Sequence, residues 1–412
     1  MEFRITDSNI HKLVKKYIEA KNELPPELQN ILIGDWDVSL VTNMQQLFMN
    51  KKNFNEPLNW NVSNVTNMSY MFVGATNFNQ PLNWNVSNVD HMEFMFLGAT
   101  NFNEPLTWNG EPWNVSTVKY MDSMFKDATS FNQDIGNWIV SNVTMMSHMF
   151  QNATNFNQDL SRWDVSNVKH MVSMFSGATK FDRPLNWDVS NVTYMSFMFK
   201  NATSFDGRLT WDGGPWDVSN VRDMSDMFSD ATIFNQDIGN WIVSNVYNMK
   251  SMFSGATSFN QDIGNWNVSK LRDMSHMFEN ATSFNQDLSR WNVSNVRNMS
   301  HMFQNATSFD IKPNWEIHPE TNTMDMFKGT VLEPLTPLDA FWKARYATEE
   351  IVGKQLDART ELDLAQYLGL PVTRKEYMTL DDEKVYLPKG GRRKTKRRKS
   401  GKRKRKRSYR KR

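Results

Sequence analysis

Cysteine is absent from the 412 residues. Disulfides, thiolate metal sites, cysteine nucleophiles and lipid attachment through cysteine are therefore excluded, and an oxidising compartment would serve no structural purpose. No run of about 18 apolar residues occurs, so no membrane-spanning helix is expected. The opening MEFRITDSNI is polar where a secretory leader would be apolar. HExxH, a glycine-rich phosphate loop and Gly-x-Ser-x-Gly are also missing. No cofactor is indicated, and the expected role is non-enzymatic.

The net charge of +2 arises by cancellation. Residues 389–412 hold 17 of the 47 Lys and Arg and no acid. Residues 1–388 keep the other 30 against 45 acidic residues, a formal −15. An acidic body thus carries a strongly basic tail.

What the body does have is repetition. One Trp recurs from Trp36 to Trp315, through Trp60, Trp84, Trp113, Trp138, Trp163, Trp187, Trp216, Trp241, Trp266 and Trp291, at steps of 24 or 25 residues with two of 29. These twelve units predict a stacked Trp ladder. A typical unit, residues 160–184, reads LSRWDVSNVKHMVSMFSGATKFDRP. Leu160, Trp163 and Val165 fall at 0, 3 and 5, the spacing of a leucine-rich-repeat strand. Val168, Met171, Met174, Phe175 and Ala178 then fall at 0, 3, 6, 7 and 10, one face of a short helix. A Ser three residues after each Trp from Ser39 to Ser294 is placed to cap that helix. Gly74, Asn152, Asp230 and Gly255, two residues past the Met-Phe pair, suit the left-handed turn that would end it. The expected fold is α/β: a leucine-rich-repeat-like solenoid over 33–330, each unit a short parallel strand plus a short helix, with helical caps and a disordered basic tail.

Residues 84–186 and 187–289 repeat each other at a step of 103. Both copies carry an extra loop, TWNGEPW at 107–113 and TWDGGPW at 210–216. Either these are bulges left by an old insertion, or Trp108, Pro112, Trp211 and Pro215 form two equivalent contact loops. Helix-side positions such as Tyr70, Phe94, His148 and Phe197 vary between units; either a protein partner of the solenoid is read there or at the loops, or these positions are simply unconstrained.

Residues 7–20 read as an amphipathic helix with Ile10, Leu13, Val14, Tyr17 and Ile18 on one face and Asp7 or Ser8 as its cap; residues 1–32 would shield the first coil. Past 330 the repeat stops. Residues 340–346 and 360–370 read as short helices of a C-terminal cap over 331–388. The 389–412 tail has too much like charge and too little apolar surface to fold. Its runs Arg392, Arg393, Lys394, Lys396, Arg397, Arg398 and Lys399, then Lys402, Arg403, Lys404, Arg405, Lys406 and Arg407, suit nucleic acid or another polyanion, or nuclear localisation.

Metal chemistry has weak candidates only. Asp237, Asp262 and Asp287 recur at one repeat position, as do Asp134 and Asp159, and stacked carboxylates invite a calcium ion unless each is solvated or turned onto backbone. His276 and His301 occupy one position in adjacent units. The many Asn-x-Ser/Thr triplets follow from the repeat, and no glycosylation is expected.

The motif W-[DN]-V-S-N-V-x-x-M-x-x-M-F-x-x-A-T-x-F-N-Q-D-L resembles the BspA-like leucine-rich repeats, in the version typical of mycoplasma-type surface lipoproteins. The stretch ending in Gly34-Asp35-Trp36-Asp37-Val38-Ser39 resembles the lead-in of such proteins. The resemblance implies interaction or adhesion, in many members at a cell surface. The basic tail resembles those of some large-DNA-virus proteins with such repeats. The expectation is an intracellular, nuclear or virion-associated adaptor, its solenoid on a protein and its tail on nucleic acid; the rival is a surface adhesin.

Overall fold

The computed structural model describes residues 3–333 and two short strands, Met378–Leu380 and Glu383–Val385, which pair antiparallel as an isolated ribbon. The basic tail and the stretches 340–346 and 360–370 lie outside the described residues.

In a typical unit the apolar residues meet at intervals of three, and most of these intervals close a turn. Trp163 donates its N–H to Leu160 O at 3.1 Å, Val168 to Val165 O at 2.8 Å, Met174 to Met171 O at 3.3 Å, Ala178 to Phe175 O at 3.0 Å and Phe181 to Ala178 O at 3.0 Å. These corners put Trp163, Val165, Val168, Met171, Met174, Phe175, Ala178 and Phe181 inside the coil, none more than 1% exposed. N–H groups between the corners run along the axis instead. Met171, Ser173, Phe175 and Gly177 donate to Tyr194, Ser196, Met198 and Lys200 of the next coil at 2.7–3.1 Å. The two sets together pair most of the interior backbone N–H groups, as an interior backbone requires.

The short helix expected over Val168–Ala178, and over its counterparts, does not form: among the described residues the units contain turns, not helices. The 3-3-1-3 spacing that suggests a helix face serves equally well as a train of three-residue corners. A helix would direct each N–H four residues back and leave the coil edges unpaired. Two positions per unit are also left-handed, which no helix accommodates. One holds Gly74, Asn152, Asp230 and Gly255, at φ 57–70°, as their residue types indicate, although they end no helix. The other, ten residues after each Trp, holds Tyr70, Phe94, His148 and Phe197 at φ 60–61°.

The segment leading to each Trp forms a strand only at Leu82–Asn83 with Leu106–Trp108 and at Leu185–Asn186 with Leu209–Trp211, which pair in parallel. Elsewhere among the described residues of the repeats, parallel pairing shrinks to a single bridge seven residues after each Trp, running from Asn43 through Asn67, His91 and Tyr120 to Asn298 and Asn322. The Ser three residues after each Trp caps nothing. Except at Ser141 and Ser244, which follow Ile139 and Ile242, its own N–H is held by the side chain two residues earlier, as from Ser166 to Asp164 Oδ1 at 3.1 Å and from Ser294 to Asn292 Oδ1 at 3.1 Å, a local Asx turn.

Stacking carries the core. The Phe of each Met-Phe pair, and its counterparts Phe48 and Phe327 at the ends, stacks on its neighbour at 5.4–5.8 Å from Phe48 to Phe327. A second Phe column packs against it within each coil, as in Phe125–Phe131 at 3.9 Å. The Trp ladder stacks at 6.2–6.4 Å in pairs such as Trp60–Trp84, Trp163–Trp187 and Trp291–Trp315. Most indoles donate to a carbonyl of the preceding coil, for example Trp163 Nε1 to Ile135 O at 3.0 Å. On the surface an unbroken Asn/Asp ladder joins coils, as from Asn103 N–H to Asn79 Oδ1 and from Asn132 N–H to Asn103 Oδ1, both 2.8 Å.

Helix α1, Ile10–Glu19, buries Ile10, Leu13, Val14 and Tyr17, while Ile18 is half-buried. Tyr17 meets the Trp36 ring edge-on at 5.5 Å. Neither Asp7 nor Ser8 caps the helix; the N-cap is Asn9. The Asp7 carboxylate instead takes the N–H and hydroxyl of Thr42 and the N–H of Asn43 at 2.7–3.0 Å, tying α1 to the first coil. Those bonds hold its carboxyl below the usual range despite the opposing effect of burial. A short turn of helix, α2 (Pro26–Gln29), follows.

Candidate functional site

The two inserts are hairpins, and each turn residue explains why. Strand β1 (Leu82–Asn83) pairs in parallel with β2 (Leu106–Trp108), which pairs antiparallel with β3 (Glu111–Pro112). Between β2 and β3, Asn109 and Gly110 have φ 51° and 84°. A tight hairpin turn of this hand needs positive φ at both central residues, which Asn-Gly supplies. The second copy repeats the arrangement with β4 (Leu185–Asn186), β5 (Leu209–Trp211) and β6 (Gly214–Pro215), and with Asp212 and Gly213 at φ 47° and 78°. Asn-Gly and Asp-Gly are the signal that marks these loops as hairpins rather than bulges.

The hairpins present Trp108 at 39% and Trp211 at 44% exposure, with Pro112 and Pro215 exposed beside them. Every other Trp from Trp36 to Trp291 is at most 3% exposed. One coil on, Ile139 and Ile242 stand 60% and 59% exposed, directly after Trp138 and Trp241. Most other units carry Asp or Asn there, holding the Ser N–H. The two isoleucines escape a reading that seeks chemistry-bearing residues, although W-I-V-S in place of W-[DN]-V-S records them. Each four-unit block thus bears an exposed Trp and an exposed Ile in corresponding places, the second block exposing Ile233 as well.

The inserts disturb the core behind them. The indole N–H groups of Trp138 and Trp241, each in the coil after a hairpin, are buried without a partner. Trp36, in the first coil, is the third such indole. Leu106 O and Leu209 O accept the N–H of Trp113 and Trp216 at 3.0 and 3.3 Å, as Leu160 O accepts that of Trp163. In the ordinary unit the same carbonyl also receives the indole of the following coil, as Leu160 O does from Trp187 at 2.8 Å; Leu106 O and Leu209 O do not. A buried donor without an acceptor costs about 1–3 kcal/mol, so retention of both hairpins carries a stability cost.

Each carboxylate of the row is turned onto its own backbone. Asp237, Asp262 and Asp287 accept the N–H of Gly239, Gly264 and Ser289 at 2.9–3.0 Å, and Asp134 and Asp159 do the same for Gly136 and Ser161. The Ser161 N–H and hydroxyl hold Asp159 below the ordinary carboxylate range, and Ser289 does so for Asp287. Among the described residues no group of three or more His, Asp or Glu is placed to hold a metal ion. The His276 and His301 rings stack at 4.8 Å, with Nδ1 of His276 on Glu279 Oε2 at 2.8 Å. His148, in the same column, is pushed down from the usual imidazole range by burial. No helix among the described residues is long and apolar enough to cross a membrane.

The chain matches the family described as Mycoplasma protein of unknown function, DUF285, over residues 15–112, 108–212, 185–275 and 237–333. No curated protein matches it. With well over half of its length covered, the chain belongs to this mycoplasma-type family of tandem repeats.

Proposed function

We propose that this member of the family is a non-enzymatic interaction scaffold of the BspA-like leucine-rich-repeat type. Its solenoid of about twelve units would bind a protein partner, and its basic tail would bind nucleic acid or direct the chain to the nucleus. The observation that carries the reading is the duplicated display of Trp108 with Ile139 and of Trp211 with Ile242, one pair in each four-unit block. Exposed Trp retained twice at a cost to the core is the kind of residue that anchors a protein contact, and two equivalent sites on one rigid body favour a repeated or dimeric partner through avidity.

The test is affinity capture from host lysate with the full chain and with residues 1–388, each with and without nuclease, beside a Trp108→Ala/Trp211→Ala variant. A distinct protein retained through truncation and nuclease but lost with the double substitution supports the scaffold. Capture unchanged by that substitution removes the hairpins from the reading. The surface-adhesin alternative draws on the mycoplasma family, and labelling of the chain on intact cells would favour it.

A further inference from the structure

A second surface feature is electrostatic. The residue six positions after each core Trp donates its N–H to its counterpart one coil back: Thr193 to Lys169, Arg222 to Thr193, Tyr247 to Arg222, Arg272 to Tyr247 and Arg297 to Arg272, at 2.9–3.0 Å. The column is therefore a backbone-clamped row with one side chain per coil, spaced by roughly 4.8 Å. Cations recur on alternate coils at Lys119, Lys169, Arg222 and Arg272, and Arg297 follows directly. From Lys119 to Arg297 the row spans roughly 34 Å at that spacing.

Towards its C-terminal end the surface is hollowed into a groove of about 630 Å³, lined by Arg222, Tyr247, Lys270 and Arg272 with Asn220 and Asn245. The guanidinium groups of Arg222 and Arg272 are exposed and, among the described residues, have no hydrogen-bond or ion-pair partner. Lys270 Nζ reaches Asn245 Oδ1 at 2.7 Å, and Arg297 bends over the carbonyls of Ser294 and Val296 at 3.2 Å. Tyr247 lies between the two free arginines, 41% exposed, where the gaps earlier in the row hold Thr144 and Thr193. The neighbouring carboxylates are turned onto backbone, which orients them without cancelling their charge: Asp223 Oδ1 accepts Ser225 N–H at 2.9 Å, and Asp273 Oδ1 accepts the N–H and hydroxyl of Ser275 at 2.8 and 2.6 Å. Lys119, at the far end, is partly neutralised by Asp90 at 3.7 Å, which leaves the Arg222–Arg297 end the more available.

We propose that this groove binds single-stranded nucleic acid, its phosphates pairing with Arg222, Lys270 and Arg272 and one base stacking on Tyr247. A cationic track interleaved with an exposed aromatic ring is the physical requirement for such binding, because every base offers a π-face and every nucleotide a phosphate. An acidic peptide would use the cations and leave the ring idle; a lone phosphate would use two arginines and not the row. The inference goes beyond the scaffold reading, since it places a polyanion site on the solenoid, separate from the tail.

The test is photo-cross-linking of the full chain to a 5-iodouracil-substituted oligonucleotide of about a dozen nucleotides, a length within the site sizes of about 4–16 that single-strand binders cover. Adducts are mapped by mass spectrometry at physiological salt. Adducts on Tyr247 are expected, falling at least five-fold in Arg222→Ala/Arg272→Ala, while adducts in 389–412 persist. Both arginines are exposed, so the variant keeps its fold, checked by an unchanged melting temperature. Adducts confined to 389–412 would overturn the groove while leaving tail binding intact. The groove also fails if Tyr247 adducts are indifferent to the arginines, or if a poly-glutamate peptide displaces the oligonucleotide from Tyr247 at far lower concentration, the groove then being a peptide site.

Discussion

At the residue scale, two buried polar groups make the structure measurable. Trp163 and Trp138 occupy the same ladder position, yet only Trp163 has an acceptor for its indole N–H. Trp163→Phe and Trp138→Phe remove similar ring volume, so their difference isolates the hydrogen bond. Trp163→Phe is expected to destabilise by about 1–3 kcal/mol more in urea unfolding; equal losses would mean that the Trp138 indole is satisfied. Asp122 supplies the second probe. Burial raises its carboxyl above the ordinary range, while a bond from Ser147 N–H opposes the shift. A carboxyl whose native pKa is raised weakens the fold once pH climbs past its unfolded value of about 3.9. Asp122→Asn keeps an acceptor for Ser147 and removes that penalty. It is expected to raise the melting temperature at pH 7, with the gain vanishing in acid, where the native carboxyl is protonated in both states. A variant no more stable at pH 7 would show Asp122 to be fully solvated.

Within single elements, the hairpins are separable from the coils that carry them. Replacing residues 107–112 by Ser-Arg recreates the Leu160-Ser161-Arg162-Trp163 spacing, in which the Leu carbonyl serves the next indole. The edited chain is expected to fold with stability equal or higher in thermal melts, because Trp138 gains an acceptor, and to lose whatever binding depends on Trp108. A large drop in melting temperature would instead make the hairpin part of the core. The left-handed corners are stricter. At Gly177, with φ 72°, an added Cβ would meet the Asn152 side-chain oxygen, which can turn aside, so Gly177→Ala should destabilise by the about 1–2 kcal/mol that positive φ costs.

On the scale of the whole molecule, each coil contacts its neighbours through the same bonds and the same ring stacks, so stability is a sum of nearest-neighbour terms. Removing residues 163–186, one complete unit, rejoins Arg162 to Trp187 in register. That deletion is expected to leave a cooperatively folded, shorter chain by circular dichroism, whereas removing only half of the unit should abolish folding. A half-unit deletion that folds normally would contradict the in-register ladder. An accurate period is legible in the sequence because every corner of the coil must be apolar. The N-terminal helix is legible for the same reason, through Ile10, Leu13, Val14 and Tyr17. Of the candidate site, Trp108 and Trp211 stood out as extra aromatics, while Ile139 and Ile242 were hidden by looking apolar in an apolar repeat.

Residue spacing by itself settled the tandem repetition, the buried set and the left-handed Gly, Asn and Asp corners, since each is a local consequence of side-chain chemistry. It could not distinguish a helix face from a train of three-residue turns, because both place apolar groups three apart. Only the neighbouring coil decides: once Met171, Ser173, Phe175 and Gly177 can send their N–H groups to the next turn of the solenoid, closing those bonds between coils satisfies the whole stack, and the helix has nothing further to offer. The same contact between coils aligned Arg222, Tyr247 and Arg272, residues a full repeat apart in the chain, into one groove.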